Sequence, residues 1–254
     1  MNDNKKSILI ICGLIFLLIL TTILYNKTND NKISKDEVTN VNEIKSNLSK
    51  KIKLMSADDL LSDLYNDDLT LDNFNNMFLS GILLSIEEDG ELTEEESDKL
   101  YNRTGICINT SYINLSTIES NIDELYGNNI KLDYNKLLKN TDFYYDNVTK
   151  KFYSKCVSSL DKTNYIESYI YDYKINDRDA YVYVSVAFLE EKYNDDDVTI
   201  YVYKDVNKDK LFATYKDDEY FILDETNYSK FTLYKYHFKN NNGNYYFNSL
   251  KKIN

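Results

Sequence analysis

The sequence predicts an α+β protein carried on one N-terminal transmembrane helix, and three observations predict it. Residues 8–25 form an unbroken apolar run, residues 55–140 place apolar side chains mostly at helical spacing, and beyond residue 141 the spacing becomes twofold.

The first run, ILIICGLIFLLILTTILY from Ile8 to Tyr25, is 18 residues without a charge and follows Lys5 and Lys6. At about 1.5 Å per residue it nearly crosses a hydrocarbon core of about 30 Å. A cleaved leader needs small residues at its cleavage site, yet the first alanine of the chain is Ala57. The run therefore reads as an uncleaved signal anchor, with residues 1–7 a short cytoplasmic tail and the C-terminal domain extracytoplasmic. Cys12 follows Leu9, Ile10 and Ile11, a poor setting for lipidation, and reads as a membrane-facing apolar residue.

Residues 26–54 read as a polar, partly helical stalk, with Val38, Val41, Ile44, Leu48 and Ile52 three and four apart. That is two heptads, too few to demand a coiled-coil seam. A helical subdomain over 55–140 follows. Ser56 opens a stretch with Leu60, Leu61 and Leu64 behind it, and Thr70 caps a helix striped by Leu71, Phe74, Met77, Phe78 and Ile82. Thr93 with Glu94, Glu95 and Glu96 is a capping box, and Ser116 caps a last helix carrying Ile118, Ile122 and Leu125 up to Gly127.

Residues 141–254 read as an antiparallel β-meander. Phe143–Tyr145 and Phe152–Tyr153 flank a turn, and Tyr165 to Ile175 alternates before Asn176-Asp177. In Ala180 to Leu189, Tyr181, Tyr183, Ser185 and Ala187 share one parity and Val182, Val184, Val186 and Phe188 the other. Val198 to Lys204 and Lys210 to Tyr215 continue the pattern, and Asn242-Gly243 turns Phe231 to Lys239 into Asn244 to Ile253.

Short tail, single anchor, helical start and a tyrosine-rich meander ending in FTLYKYHFKNNNGNYYFNSLKKI resemble the single-span membrane-anchored proteins of low-GC Gram-positive bacteria. The resemblance implies an exported domain of the cystatin-like or NTF2-like cone, a fold that hosts binding modules, assembly factors and some enzymes.

Composition narrows the function classes. Thirty Lys plus Arg against 42 Asp plus Glu leave a formal charge of −12, which argues against nucleic acid as a partner. There are 25 tyrosines, no proline and no tryptophan, a bias that an AT-rich genome produces and that a carbohydrate-binding or protein-binding surface also uses. With six glycines and neither G-x-x-x-x-G-K-[ST] nor G-x-G-x-x-G, a phosphate cradle is not expected. His237 is the one histidine and reads as a half-exposed strand residue, sharing parity with Phe231, Leu233 and Lys235. No serine or cysteine stands in a nucleophile elbow, although 42 acids leave paired carboxylates open.

The sharpest local motif runs from Ser85 to Glu96 and aligns with the twelve-residue EF-hand loop: Glu87 and Asp89 at positions 3 and 5, Gly90 at the turn, Leu92 at the apolar position and Glu96 at position 12. Ser85, Glu87, Asp89 and Glu96 are thus candidate calcium ligands, with Ser85 in place of the usual Asp weakening the site. The competing reading is an acidic helix–turn–helix with a capping box. No other cofactor is expected. Cys107 and Cys156 form an even pair, compatible with a disulfide in an oxidising compartment or with two buried thiols.

These readings converge on a non-enzymatic, single-pass cell-surface protein whose exported domain binds a protein or an envelope polymer. Tyr181, Tyr183, Tyr201, Tyr203, Tyr234 and Tyr236 are the candidate contacts, since one strand face can hold alternate members of each run. The alternatives are an assembly component of a secretion or conjugation apparatus, and a calcium-responsive domain.

Overall fold

Twofold alternation builds long antiparallel strands wherever one face of a sheet is buried, because side chains two apart share a face. The structure, a computed structural model, describes residues 35–55, 65, 69–70, 76–127, 130, 132–139, 141–156, 162–194, 197–216 and 219–253. The tail 1–7, the anchor 8–25 and the helical stretch from Ser56 with its three leucines lie outside those residues. No helix among the described residues is long and apolar enough to cross a membrane. The chain divides into two units, 1–47 and 48–254.

Helices are α1 (Lys35–Met55), α2 (Asn76–Ser85), α3 (Glu94–Thr104), α4 (Leu115–Tyr126) and the short α5 (Tyr134–Leu137). Strands are β1 (Leu69–Thr70), β2 (Gly90–Glu91), β3 (Ile108–Asn114), β4 (Phe143–Asp146), β5 (Lys151–Lys155), β6 (Lys162–Ile175), β7 (Asp179–Asn194), β8 (Asp197–Tyr203), β9 (Leu211–Lys216), β10 (Thr232–Asn241) and β11 (Asn244–Lys252). The mixture of helices and antiparallel sheet is α+β, as the change of period predicts.

The large sheet is forked rather than a plain meander. β6 pairs one edge of β7 from Lys162 opposite Lys192 to Ile175 opposite Ala180. On the other edge β10 takes Asp179 to Val186, while β8 takes Phe188 to Asn194. β8 and β10 therefore lie in line along a single edge, and residues 204–231, with β9, form an excursion between them. Thr232 closes the junction by donating from its amide and its hydroxyl to the Lys204 carbonyl, at 3.1 and 2.8 Å. A strand of 16 residues is longer than either partner, so two are needed to satisfy its backbone groups. Beyond β10 the order continues to β11 and β1.

A second sheet of order β2-β3-β5-β4 departs from the expected layout. β3 interrupts the helical subdomain placed at 55–140, and the hairpin β4–β5 pairs with it instead of joining the large sheet. Ile108, Tyr112 and Ile113 supply the β-favouring residues of β3, in a segment with no helical stripe. Thr70 likewise lies in β1, opposite Ser249, rather than at a helix cap.

One face of the large sheet carries the core. Val182, Val184, Val186 and Phe188 are buried there with Tyr234, Tyr236 and Phe238. Ile118, Ile122, Leu125 and Tyr126 of α4 are buried, and the Tyr126 ring meets Phe247 edge-on at 5.7 Å. Leu48, Ile52 and Met55 of α1 are buried too, so the last turns of the stretch assigned to a stalk over 26–54 are core. Lys51 is buried among them and donates to the carbonyls of Glu124 and Tyr245. Burial pushes its ammonium below the ordinary lysine value, while Glu124 opposes that shift. A satellite core of Ala187, Leu189, Val202, Phe221, Leu223 and Phe231 sits on the opposite face, under the 219–231 segment.

Candidate functional site

Register sorts the six candidate tyrosines onto two faces. Tyr234 stands opposite Val184 and Tyr236 opposite Val182, so both point into the core, with 1% and 0% of their surface exposed. Their phenols meet Tyr65: its hydroxyl lies 2.7 Å from that of Tyr236, and its carbonyl accepts from Tyr234 at 3.2 Å. Tyr234 and Tyr236 are therefore packing residues and not ligand contacts. Parity alone could not say which side of β10 faces the helices.

Tyr201 and Tyr203 share that side of the sheet, opposite Glu190 and Phe188, near the far end of β7. Glu190 is nearly buried and has Lys192 at 3.3 Å and Lys208 at 3.7 Å. The Lys192 ammonium lies 4.8 Å from the centre of the Tyr201 ring, and that of Lys208 lies 5.9 Å from Tyr203. Burial, then Glu190, raises the Tyr203 phenol. Charges in this cluster answer one another, which suits a structural brace.

Tyr181 and Tyr183 occupy the other face, and both are half-buried. Tyr171 is the extra residue of a bulge in β6, between Ile170 and Asp172. Its ring stacks on Tyr228 at 4.9 Å and 20° and lies 6.0 Å from Tyr183. Tyr228, in the helical turn Tyr228–Lys230, is held by Ser185, whose hydroxyl donates to its carbonyl at 2.8 Å. Tyr181 stacks on His237 at 4.7 Å and 19°. His237, half-buried as its parity suggests, has Nε2 2.6 Å from an oxygen of Asp179 and Nδ1 3.1 Å from the Asn248 amide nitrogen. Lys174, opposite Tyr181, holds its ammonium 5.1 Å from the Tyr183 ring centre. Lys235, opposite Tyr183, holds its own 5.5 Å from that of Tyr181.

Aromatic faces and polar tips thus alternate across three adjacent strands. Of the residues in this strip, Tyr181 and Tyr183 were legible as candidates, and Tyr171, Tyr228, Lys174, Lys235 and His237 were missed as contacts. Lys174 and Lys235 carried a recoverable signal. A two-residue turn at Asn176-Asp177 would set Lys174 opposite Asp179, and the observed loop shifts that by two residues, which preserves the face. A bulge and a helical turn leave no periodic mark, so Tyr171 and Tyr228 had none.

The EF-hand-like segment is built differently from a calcium loop. Gly90 lies in β2, paired with Tyr112, and does not take the left-handed φ of a sharp turn. A side chain at Gly90 would collide with the Tyr112 phenol, 2.8 Å from an added Cβ, and that ring lies 3.3 Å from the Lys151 ammonium. Asp89 accepts from the Asn114 amide at 2.6 Å and the Thr117 hydroxyl at 3.1 Å. Glu96 closes the capping box on Thr93, accepting from its amide at 2.8 Å, and this hydrogen bond holds its carboxyl below the ordinary value. Asp89 and Glu96 are thus committed to protein donors, while Glu87 is exposed and Ser85 half-buried. Among the described residues no group of three His, Cys, Asp or Glu side chains converges on a metal-sized gap.

Cys107 and Cys156 are joined in a disulfide, with Cα atoms 5.4 Å apart, and both are exposed. The Cys156 amide also donates to the Cys107 carbonyl at 3.1 Å. Nearby, Arg103 at the end of α3 makes a two-pronged ion pair with Asp146 at 2.9 and 2.7 Å.

No family model, curated protein sequence or solved structure matches the chain.

Proposed function

We propose that the chain is a single-pass, non-enzymatic membrane protein, anchored by residues 8–25, whose extracytoplasmic domain binds a protein or an envelope polymer through the Tyr181 and Tyr183 face. The observation that carries this reading is the strip of half-buried rings on the side of the large sheet away from the helices. A tyrosine held rigid by its neighbours offers apolar area and a polar tip at little entropic cost on binding. The exposed disulfide supports an oxidising compartment. His237, with both ring nitrogens near polar partners, supports a positioning role for the histidine rather than a catalytic one.

Two measurements test it. In intact cells carrying a Cys12→Ser variant, an impermeant maleimide should label Cys107 and Cys156 only after mild reduction. Labelling that needs lysis but no reductant would overturn the exported topology. Co-sedimentation of the detergent-solubilised full chain with delipidated cell-envelope material should fall at least about tenfold in Tyr181→Ala with Tyr183→Ala, the scale of two lost contact residues. Unchanged co-sedimentation would remove this face from the function.

A further inference from the structure

Resting on the reading of the Tyr181 and Tyr183 face as the binding surface, we infer that its ligand is an extended anionic glycan, a carboxylate- or phosphate-bearing sugar polymer. The first argument is charge. In a chain of net charge −12, this face presents Lys174 and Lys235, each with its ammonium over a tyrosine ring. Among the described residues neither lysine has an acidic partner within ion-pair distance. Of the acids beside them, Asp179 is taken up by His237, while Asp172, opposite Tyr183, accepts from the Tyr173 amide at 2.8 Å and keeps its charge beside Tyr171, one acid against two lysines.

Spacing is the second argument. Lys174 on β6 and Lys235 on β10 lie on opposite sides of β7 and are offset by two residues along it. Strand geometry puts their Cα atoms about 12 Å apart. Their ammoniums flank the Tyr181 and Tyr183 rings from the two sides, an arrangement that suits acid groups carried along a chain of sugar rings.

The third argument is the kind of surface. Peptides are commonly read by addition to a strand edge, which supplies main-chain hydrogen bonds. Among the described residues β7 and β10 are paired on both sides and β6 on one, so the middle of the strip offers side chains alone. Those side chains alternate rings with hydrogen-bonding groups, namely Tyr171, Tyr181, Tyr183 and Tyr228 among Lys174, Lys235 and His237. A sugar matches this pattern, with C–H faces to lay on the rings and hydroxyls and acid groups for the polar tips.

The full-length protein in a non-glycosidic detergent tests the inference with four probes: polygalacturonate, neutral dextran, poly-glutamate and inorganic polyphosphate. Polygalacturonate should bind saturably and weaken as salt is raised, with the other three at least tenfold weaker. Lys174→Gln with Lys235→Gln should reduce polygalacturonate binding at least tenfold without shifting the melting temperature. Equal binding of poly-glutamate or polyphosphate would overturn the glycan assignment in favour of charge alone. Binding to dextran that depends on Tyr181 and Tyr183 and ignores both lysines would overturn the anionic ligand and leave the face as the binding surface. Loss of tyrosine dependence with every probe would bring down both readings.

Discussion

Asp146 shows how a single carboxylate ties two elements together. Burial alone would raise its pKa, but the Arg103 guanidinium, the Thr149 hydroxyl and the amides of Val148 and Thr149 hold it well below the ordinary carboxylate range. A carboxyl depressed in the folded state contributes stability that is fully present above the unfolded value near 3.9 and is lost as pH falls through and below it. Asp146→Asn should therefore flatten the acid limb of the stability curve. At neutral pH it should destabilise by about 2 kcal/mol, less than a fully buried pair because Arg103 is partly solvated. Chemical denaturation at pH 7 and pH 3 measures both effects. Tyrosines give the opposite limb. Burial raises the phenols of Tyr126 and Tyr234, and it raises Tyr134, with help from Glu119, to about 12. Stability from these groups is intact below about pH 10 and is lost as pH rises beyond it. Phenolate absorbance should then appear in two phases, exposed tyrosines first and the buried set together with loss of tertiary signal. A single phase with no unfolding would contradict the burial.

At the scale of elements, helix ends follow local chemistry closely. Thr93 opens α3 with both arms of its capping box made, and Gly105 closes it with φ +69°. Thr93→Ala should lower stability by about 1 kcal/mol. Calcium should not restore it if Glu96 serves as a cap rather than a metal ligand, and a calcium-dependent rise in melting temperature would return the loop to consideration. α4 begins two residues earlier than its serine suggests, with Asn114 at the cap and Ser116 inside the first turn. Among strands, Asn242 and Gly243 have φ of 54° and 90°, the pair of left-handed residues that a tight hairpin turn demands.

For the molecule as a whole, the two sheets are stabilised by different means. The large sheet has the long strands, while the small sheet adds to a smaller cluster of Leu100, Ile108 and Tyr153 a disulfide across a sequence separation of 49. Closing a loop of that length in the unfolded chain is worth about 4 kcal/mol in the chain-entropy view. Cys107→Ser with Cys156→Ser should lower stability by up to that amount. Hydrogen exchange should quicken first in β3, β4 and β5, with β7 and β10 still protected. Uniform quickening across both sheets would show that they unfold as one unit.

Much of this was legible from local signals. Periods of 3.6 and 2, a Thr-x-x-Glu box and an Asn-Gly turn are set by interactions within a few residues, and they determined the α+β class, α3, the end of α4 and the hairpins from β6 onward. The valine and tyrosine parities of β7 also declared that one side would be buried. Which side of each partner strand joined it was decided only in three dimensions. Register across distant strands put Tyr234 and Tyr236 in the core while leaving Tyr181 and Tyr183 at the surface. The same holds for the fork at β7, the pairing of β3 with β5 and the gathering of Tyr171, Tyr228 and His237 into one strip. Each depends on contacts between residues far apart in the chain, and a local pattern fixes the period of a strand but not the neighbour it will find.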